Sequence, residues 1–113
     1  MLQLVTAVIQ PHRLETVKEA LKEAGVAGMT VTEASGFGRQ GARSETYRGA
    51  EYQVEFIPKV KIEILCSDED ADRIADVIAS AAGSGEIGDG KIWVAPVSRA
   101  IRIRTGEVGR AAV

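Results

Sequence analysis

The sequence predicts an α+β sandwich with elements in the order β-α-β-β-α-β, followed by a tail. Three observations predict it: apolar residues alternate at strand period in four segments, two segments between them repeat apolar residues at helical spacing, and Gly or Pro separates most of them. A length of 113 residues, 45% apolar and 27% charged, suits one soluble globular domain.

Leu2 to Gln10 alternates yet is apolar on both sides, with Leu2, Leu4 and Val8 on one and Val5, Ala7 and Ile9 on the other. A strand with two apolar faces is covered on both. Pro11 ends it. Leu14, Val17, Leu21 and Ala24 then fall at 3- and 4-residue spacing, so a helix follows, and Gly25 is its natural stop. Val26 to Glu33 reads as the second strand. Lys59 to Leu65 reads as the third, with Lys59, Lys61 and Glu63 on one face and Val60, Ile62 and Ile64 on the other.

Ser67 with Asp70 gives an N-terminal capping signal for a second helix. That helix should bury Ile74, Val77, Ile78 and Ala81 and break at Gly83 and Gly85. The turn Gly88-Asp89-Gly90 leads into the fourth strand, Lys91 to Val97, where Trp93 is expected in the core. A last short strand is expected from Ala100 to Arg104, with Ile101 and Ile103 inward and Arg102 and Arg104 together on the opposite face.

This order is the ferredoxin-like arrangement. Two helices cover one face of its sheet and leave the other bare, but the first and fourth strands are apolar on both sides. An oligomer that buries the bare faces against one another satisfies that pattern.

Between the second and third strands, Ser35 to Phe56 reads SGFGRQGARSETYRGAEYQVEF, with its glycines, arginines and glutamates spread throughout. A loop that long in a compact domain is uncommon and usually functional or disordered. The two tyrosines around Arg48-Gly49-Ala50-Glu51 mark it as a working, partner-facing loop.

Composition excludes several classes. The net charge of −2 gives no dominant basic patch, and 4% aromatic residues leave few stacking platforms, so nucleic acid is not an expected partner. No apolar run approaches the roughly 20 residues of a membrane span. The N-terminus lacks a basic lead and a small-residue cleavage site, so no signal peptide is expected. The single cysteine, Cys66, sits in an apolar run and reads as a buried, inert thiol, which suits the cytosol. His12, the single histidine, suits a surface or capping role beside Pro11. No nucleophile–base arrangement and no metal-ligand spacing is present. Asp68, Glu69 and Asp70 favour a helix N-terminus electrostatically.

Four features together suit an anionic, phosphate-bearing ligand: the Gly88-Asp89-Gly90 turn, Lys91 directly after it, the Arg102/Arg104 pair, and Arg39 at the root of the loop. Glycines let backbone N–H groups approach a phosphate, and arginine can contact it bidentately. Each feature alone has an ordinary structural reading, as a tight turn or a solvated face.

Two segments are more specific. Tyr47-Arg48-Gly49-Ala50-Glu51-Tyr52 and Ser84-Gly85-Glu86-Ile87-Gly88-Asp89-Gly90-Lys91-Ile92-Trp93-Val94 resemble the two signatures of the PII nitrogen-regulatory signal-transduction proteins. Gly28 to Thr32, Gly36 to Gln40, Pro58 to Lys61 and Ile101 to Glu107 are also similar to family segments in the right order. The likeness covers essentially the whole chain.

The resemblance implies a single PII-type domain over residues 1–113. It carries a flexible T-loop at about 37–55 and a C-terminal tail at about 98–113, and it assembles as a homotrimer. ATP and ADP compete for clefts between neighbours. By position, Thr30, Gly38, Arg39, Glu63, Leu65, Gly88, Asp89, Gly90, Lys91, Arg102, Ile103 and Arg104 bind the nucleotide. 2-Oxoglutarate binds beside MgATP, with Gln40 completing the Mg²⁺ shell and Lys59 neutralising the distal carboxylate; no prosthetic group is implied. Arg48 matches the residue that members insert into an ammonium transporter, and Tyr52 the tyrosine that many members have uridylylated or adenylylated.

The implied protein is a cytoplasmic regulator, at most an incidental slow ATPase. Its implied partners are the transporter, nitrogen-metabolism enzymes or a nucleotidyltransferase, and it reaches the membrane only through the transporter. Three departures stand out: Gln10 where lysine commonly precedes Pro11, Gly41-Ala42-Arg43 in the loop, and Glu86 in place of a common lysine. They keep open a variant that reads mainly the adenylate state, with a weak 2-oxoglutarate response. An enzyme and an RNA-binding module on the same fold are the other classes considered.

Overall fold

The structure is a computed structural model that describes residues 1–37, 43–47, 50–54 and 56–113, with side chains outside 38–55. The elements are β1 (Leu2–Ile9), α1 (Leu14–Glu23), β2 (Thr30–Gly36), β3 (Arg43–Tyr47), β4 (Ala50–Val54), β5 (Ile57–Ser67), α2 (Asp68–Ala82) and β6 (Gly90–Val97). Short 3₁₀ turns lie at Pro11–Arg13 and Gly109–Ala112.

The main sheet has the antiparallel order β2-β5-β1-β6. This is the expected α+β arrangement, with both helices on one face. Register fixes the faces. Val5 pairs with Ile64 and Val94, and Ala7 with Ile62 and Ile92, on the helix side. Thr6 pairs with Glu63 and Trp93, and Leu4 with Leu65 and Ala95, on the bare side. The core joins Val5, Ala7, Ile9, Val60, Ile62, Ile64 and Cys66 to Val17 and Leu21 of α1 and Ala71, Ile74, Ile78 and Ala82 of α2. Val77 and Ala81, expected in it, are partly buried and pack against it.

α1 ends as the sequence predicts. Gly25 takes φ +86°, and the Gly25 and Val26 N–H groups donate to Lys22 and Leu21 carbonyls, a glycine-terminated helix end. Arg73 of α2 donates to the Ala24 carbonyl at 2.7 Å, which joins the two helices at that end.

Six expectations change. The second strand starts later and runs further, Thr30–Gly36, and the third strand is longer at both ends, Ile57–Ser67. Within the expected loop, β3 and β4 pair with each other, Arg43 opposite Val54 through Tyr47 opposite Ala50. Sequence-local pairing costs little loop-closure entropy, and the ribbon is a two-stranded sheet separate from the main one. Ser67 is the N-cap residue of α2, but its hydroxyl donates to the Asp70 carboxylate at 3.2 Å and caps no backbone N–H.

Trp93 is not core: it is 48% exposed on the bare face of edge strand β6. Ala100–Arg104 is not a strand either. Ile101 makes one bridge to Val108, and Ile101 and Ile103 are exposed, Ile103 by 98%. The chain turns back there instead, with Gly106 at φ +74° and the Gly106 N–H donating to the Arg102 carbonyl at 2.7 Å.

Candidate ligand-binding site

The turn between α2 and β6 is built around one side chain. Asp89 accepts hydrogen bonds from the Ser84 N–H (2.7 Å), the Ser84 hydroxyl (2.6 Å) and the Gly85 N–H (2.9 Å). The Ser84 hydroxyl also accepts from the Glu86 N–H at 3.3 Å. The Ser84 hydroxyl first, then the Ser84 N–H, hold the Asp89 carboxyl below the usual carboxylate range. Gly85, Gly88 and Gly90 take φ of +83°, +99° and +106°. At Gly90 the need for glycine is also steric, since a Cβ would lie 1.7 Å from the Val8 carbonyl oxygen. The turn therefore sits hard against β1. Among the described residues, the Ile87 and Gly88 N–H groups have no hydrogen-bond partner, so the arch keeps donors available to an anion.

Lys59 links this turn to the end of the sheet. Its Nζ donates to the Gly88 carbonyl at 3.0 Å and to Gln10 Oε1 at 3.4 Å. A cleft of about 550 Å³ opens beside it, lined by Pro11, Glu33, Ala34, Ser35, Pro58, Lys59 and Val60. Just outward of the last ladder pair, Gly36 opposite Ile57, the Phe37 and Phe56 rings meet edge to face with centroids 5.9 Å apart. Register aligns Thr30 with Glu63, and Lys61 and Lys91 both with Val8, on the bare face. Leu65, 38% exposed, follows on that face.

Arg102 and Arg104 are not brought to this turn within one chain. β6 starts at Gly90 opposite Ile9 and ends at Val97 opposite Leu2, a run of roughly 23 Å at about 3.3 Å per residue. The tail belongs to the Val97 end. Gly109 N–H donates to the Ala100 carbonyl at 3.1 Å, and the Arg110 guanidinium pairs with Glu69 in the first turn of α2. Arg102 itself reaches Glu107 at 3.5 Å and the Val113 carbonyl at 3.4 Å.

Gly38, Arg39, Gln40 and Arg48 lie outside the described residues. Tyr52 is on β4 opposite Glu45, and its side chain also lies outside them. Among the described residues, no cluster of three His, Cys, Asp or Glu side chains could hold a metal ion, and no helix is long and apolar enough to cross a membrane. His12 is exposed and Cys66 is buried, with burial as the main cause raising its thiol pKa. Sequence reasoning missed Ser84 as the partner of Asp89. The signal was a hydroxyl five positions before a carboxylate in a glycine-rich segment, which is legible only once the turn has closed.

A family model for the nitrogen regulatory protein P-II matches residues 2–107. The chain belongs to the P-II family. Nitrogen regulatory protein GlnK of Escherichia coli K12 is 54% identical over 112 residues, covering 99% of this chain and all of that one. Nitrogen regulatory protein P-II of Bradyrhizobium diazoefficiens is 57% identical over 109 residues, 96% of this chain and 97% of its own. A solved structure of Arabidopsis thaliana PII bound to citrate superposes with a TM-score of 0.82 at 38% identity, over 99% of this chain and 92% of that one. These P-II relatives are named regulators, and this chain is a nitrogen regulatory P-II protein in the same sense.

Proposed function

We propose that this P-II protein is a homotrimeric metabolite sensor, one domain over residues 1–113. ATP or ADP would bind in the clefts between protomers, and 2-oxoglutarate beside MgATP. The observation that carries this reading is the separation of two anion-binding half-sites within one chain. The arch at Gly88–Gly90, with Lys91, lies at one end of β6, while Arg102 and Arg104 are tied to the other. A second copy laid on the bare sheet face offers its tail to the first copy's arch. Arg102, Ile103 and Arg104 of one protomer then face Gly88, Asp89, Gly90 and Lys91 of its neighbour, with Thr30, Glu63 and Leu65 alongside and Gly38 and Arg39 from the T-loop stem. The exposed Trp93, Leu65 and Ile103 support burial of this face between copies.

The donor set fits polyphosphate: main-chain N–H groups, one lysine and two arginines. It also fits Mg²⁺ that arrives with its ligands, because Mg²⁺ is commonly held by substrate phosphate oxygens with few protein groups. Gln40 would be its protein contact, and Mg²⁺ would neutralise phosphate and carboxylate charge. Lys59, already aimed at the Gly88 carbonyl, would meet the distal carboxylate of 2-oxoglutarate. The citrate bound by Arabidopsis PII is likewise a polycarboxylate, which supports an acid ligand in this family.

Each ligand biases the T-loop only by its differential affinity for the loop's conformations. The loop would carry the signal to an ammonium transporter through Arg48, to nitrogen-metabolism enzymes, and to a nucleotidyltransferase acting at Tyr52. The protein would work in the cytoplasm, without turnover of its own beyond incidental ATP hydrolysis.

Titration calorimetry tests this directly. 2-Oxoglutarate should bind the MgATP-loaded protein and not the ADP-loaded one; equal heats, or none, overturn the coupled sensor. Two observations favour a second reading, an adenylate sensor with weak 2-oxoglutarate response. Gln10 puts a neutral amide beside Lys59, and Glu86 puts an exposed carboxylate in the arch. On that reading Glu86→Lys tightens ATP binding, and an unchanged affinity rejects it.

A further inference from the structure

Asp89 is the acidic member of an anion-binding arch, and its place there is a chemical conflict. A carboxylate turned toward polyphosphate repels it. The structure shows where that charge goes instead. Oδ1 accepts from the Ser84 hydroxyl at 2.6 Å, and Oδ2 accepts from the Ser84 and Gly85 N–H groups at 2.7 and 2.9 Å. These are short, charge-assisted bonds, stronger than neutral ones. They close a ring from residue 84 to residue 89, within which Glu86, Ile87 and Gly88 project as the arch. Ile87 is accordingly 65% exposed, its N–H and that of Gly88 stay unpaired among the described residues, and the Gly88 carbonyl is turned onto Lys59.

We propose that Asp89 is a positioning residue that acts through Ser84: the Ser84–Asp89 lock shapes the arch, and the ligand is met by the main-chain N–H groups the lock arranges and not by the carboxylate. This rests on the nucleotide reading above and deepens it. The lock has a second consequence. Because the Gly88 carbonyl is an acceptor of Lys59, the same ring sets the orientation of the lysine beside the cleft, so one serine hydroxyl supports both the phosphate half-site and the acid half-site. The Ser84 hydroxyl meets no ligand in this scheme, which separates it from a contact role.

The test compares Ser84→Ala, Ser84→Thr, Asp89→Ala and the Ser84→Ala/Asp89→Ala double variant as assembled protein. ATP affinity is read by calorimetry, and Gly85 amide hydrogen exchange is read without nucleotide. Loss of a hydrogen bond to a charged group predicts roughly tenfold weaker ATP binding in Ser84→Ala. Asp89→Ala should weaken it at least as much, and the double variant no further than Asp89→Ala alone, because one unit is removed once. Gly85 exchange should quicken in both alanine variants, and Ser84→Thr, which keeps the hydroxyl, should restore both readouts.

Unchanged ATP affinity in Ser84→Ala, or additive losses in the double variant, overturns the positioning role. Should Asp89→Ala fail to fold, the Ser84→Ala and Ser84→Thr pair decides alone. A wild-type protein that binds no ATP overturns the nucleotide reading and this role with it. Gly85 exchange, measured without nucleotide, distinguishes that outcome from failure of the lock itself.

Discussion

The covered and bare faces of the main sheet are made by alternate residues of the same strands. On the covered face Val5, Ala7 and Ile62 are fully buried beneath two helices. On the bare face Leu65 and Trp93 are 38% and 48% exposed, in rows that also hold Glu63, Lys61 and Lys91. The first face is closed within the chain and decides whether it folds. The second is left open within one chain, and on the proposed reading a second copy covers it. Apolar character is therefore shared by both faces, and only the mixture with charge tells them apart.

Substitutions on each face should break this contrast in different ways. Ile62→Ala, at a fully buried position, should cost about 2–5 kcal/mol in denaturant unfolding. A cost below about 1 kcal/mol would mean the covered face is not the folding core. Trp93→Ala should leave the circular dichroism of the protomer intact and weaken assembly by about 2 kcal/mol, near 30-fold in protomer dissociation, by analytical ultracentrifugation. An unchanged mass on dilution would return Trp93 to a role within one chain.

A smaller effect sharpens the covered face: Cys66, buried and with its thiol pKa raised, should alkylate slowly at neutral pH until the protein unfolds. Labelling as fast as that of a denatured control would contradict its place in the core. The smallest effect concerns the Asp89 lock. Its folded pKa lies below the unfolded value of about 3.9, so its contribution is present above that pH and is lost as pH falls through the folded pKa. Carboxyl titration by NMR should show this pKa rising in Ser84→Ala.

Much of the fold is legible because burial on one side imposes a period. Val60, Ile62 and Ile64 against Lys59, Lys61 and Glu63 announce β5, and Val17 with Leu21 announces the covered stripe of α1. Trp93 shows where this stops. An aromatic residue in an apolar strand reads as core, but β6 is an edge strand, and the side of Thr6 on which Trp93 falls depends on pairing register. The tail shows the same limit: Ile101 and Ile103 alternate like a strand, yet their segment closes on itself through the Arg102 and Glu107 main chains. The candidate site divides likewise. Glycines at 88 and 90 announce a turn that approaches something closely, whereas the Ser84–Asp89 bonds need the closed shape of that turn and the Lys59 bond to the Gly88 carbonyl needs β5 beside it.

By itself, the sequence determined the element order, the covered face, the end of α1 at Gly25 and the family, because each depends on residue types at short, regular spacing. Only the tertiary structure decided the inward turn of the Asp89 carboxylate, the exposure of Trp93, and the placing of the arch and the Arg102–Arg104 tail at opposite ends of β6. The first depends on how the turn closes and the other two on strand order and register, and none of these has a period to read.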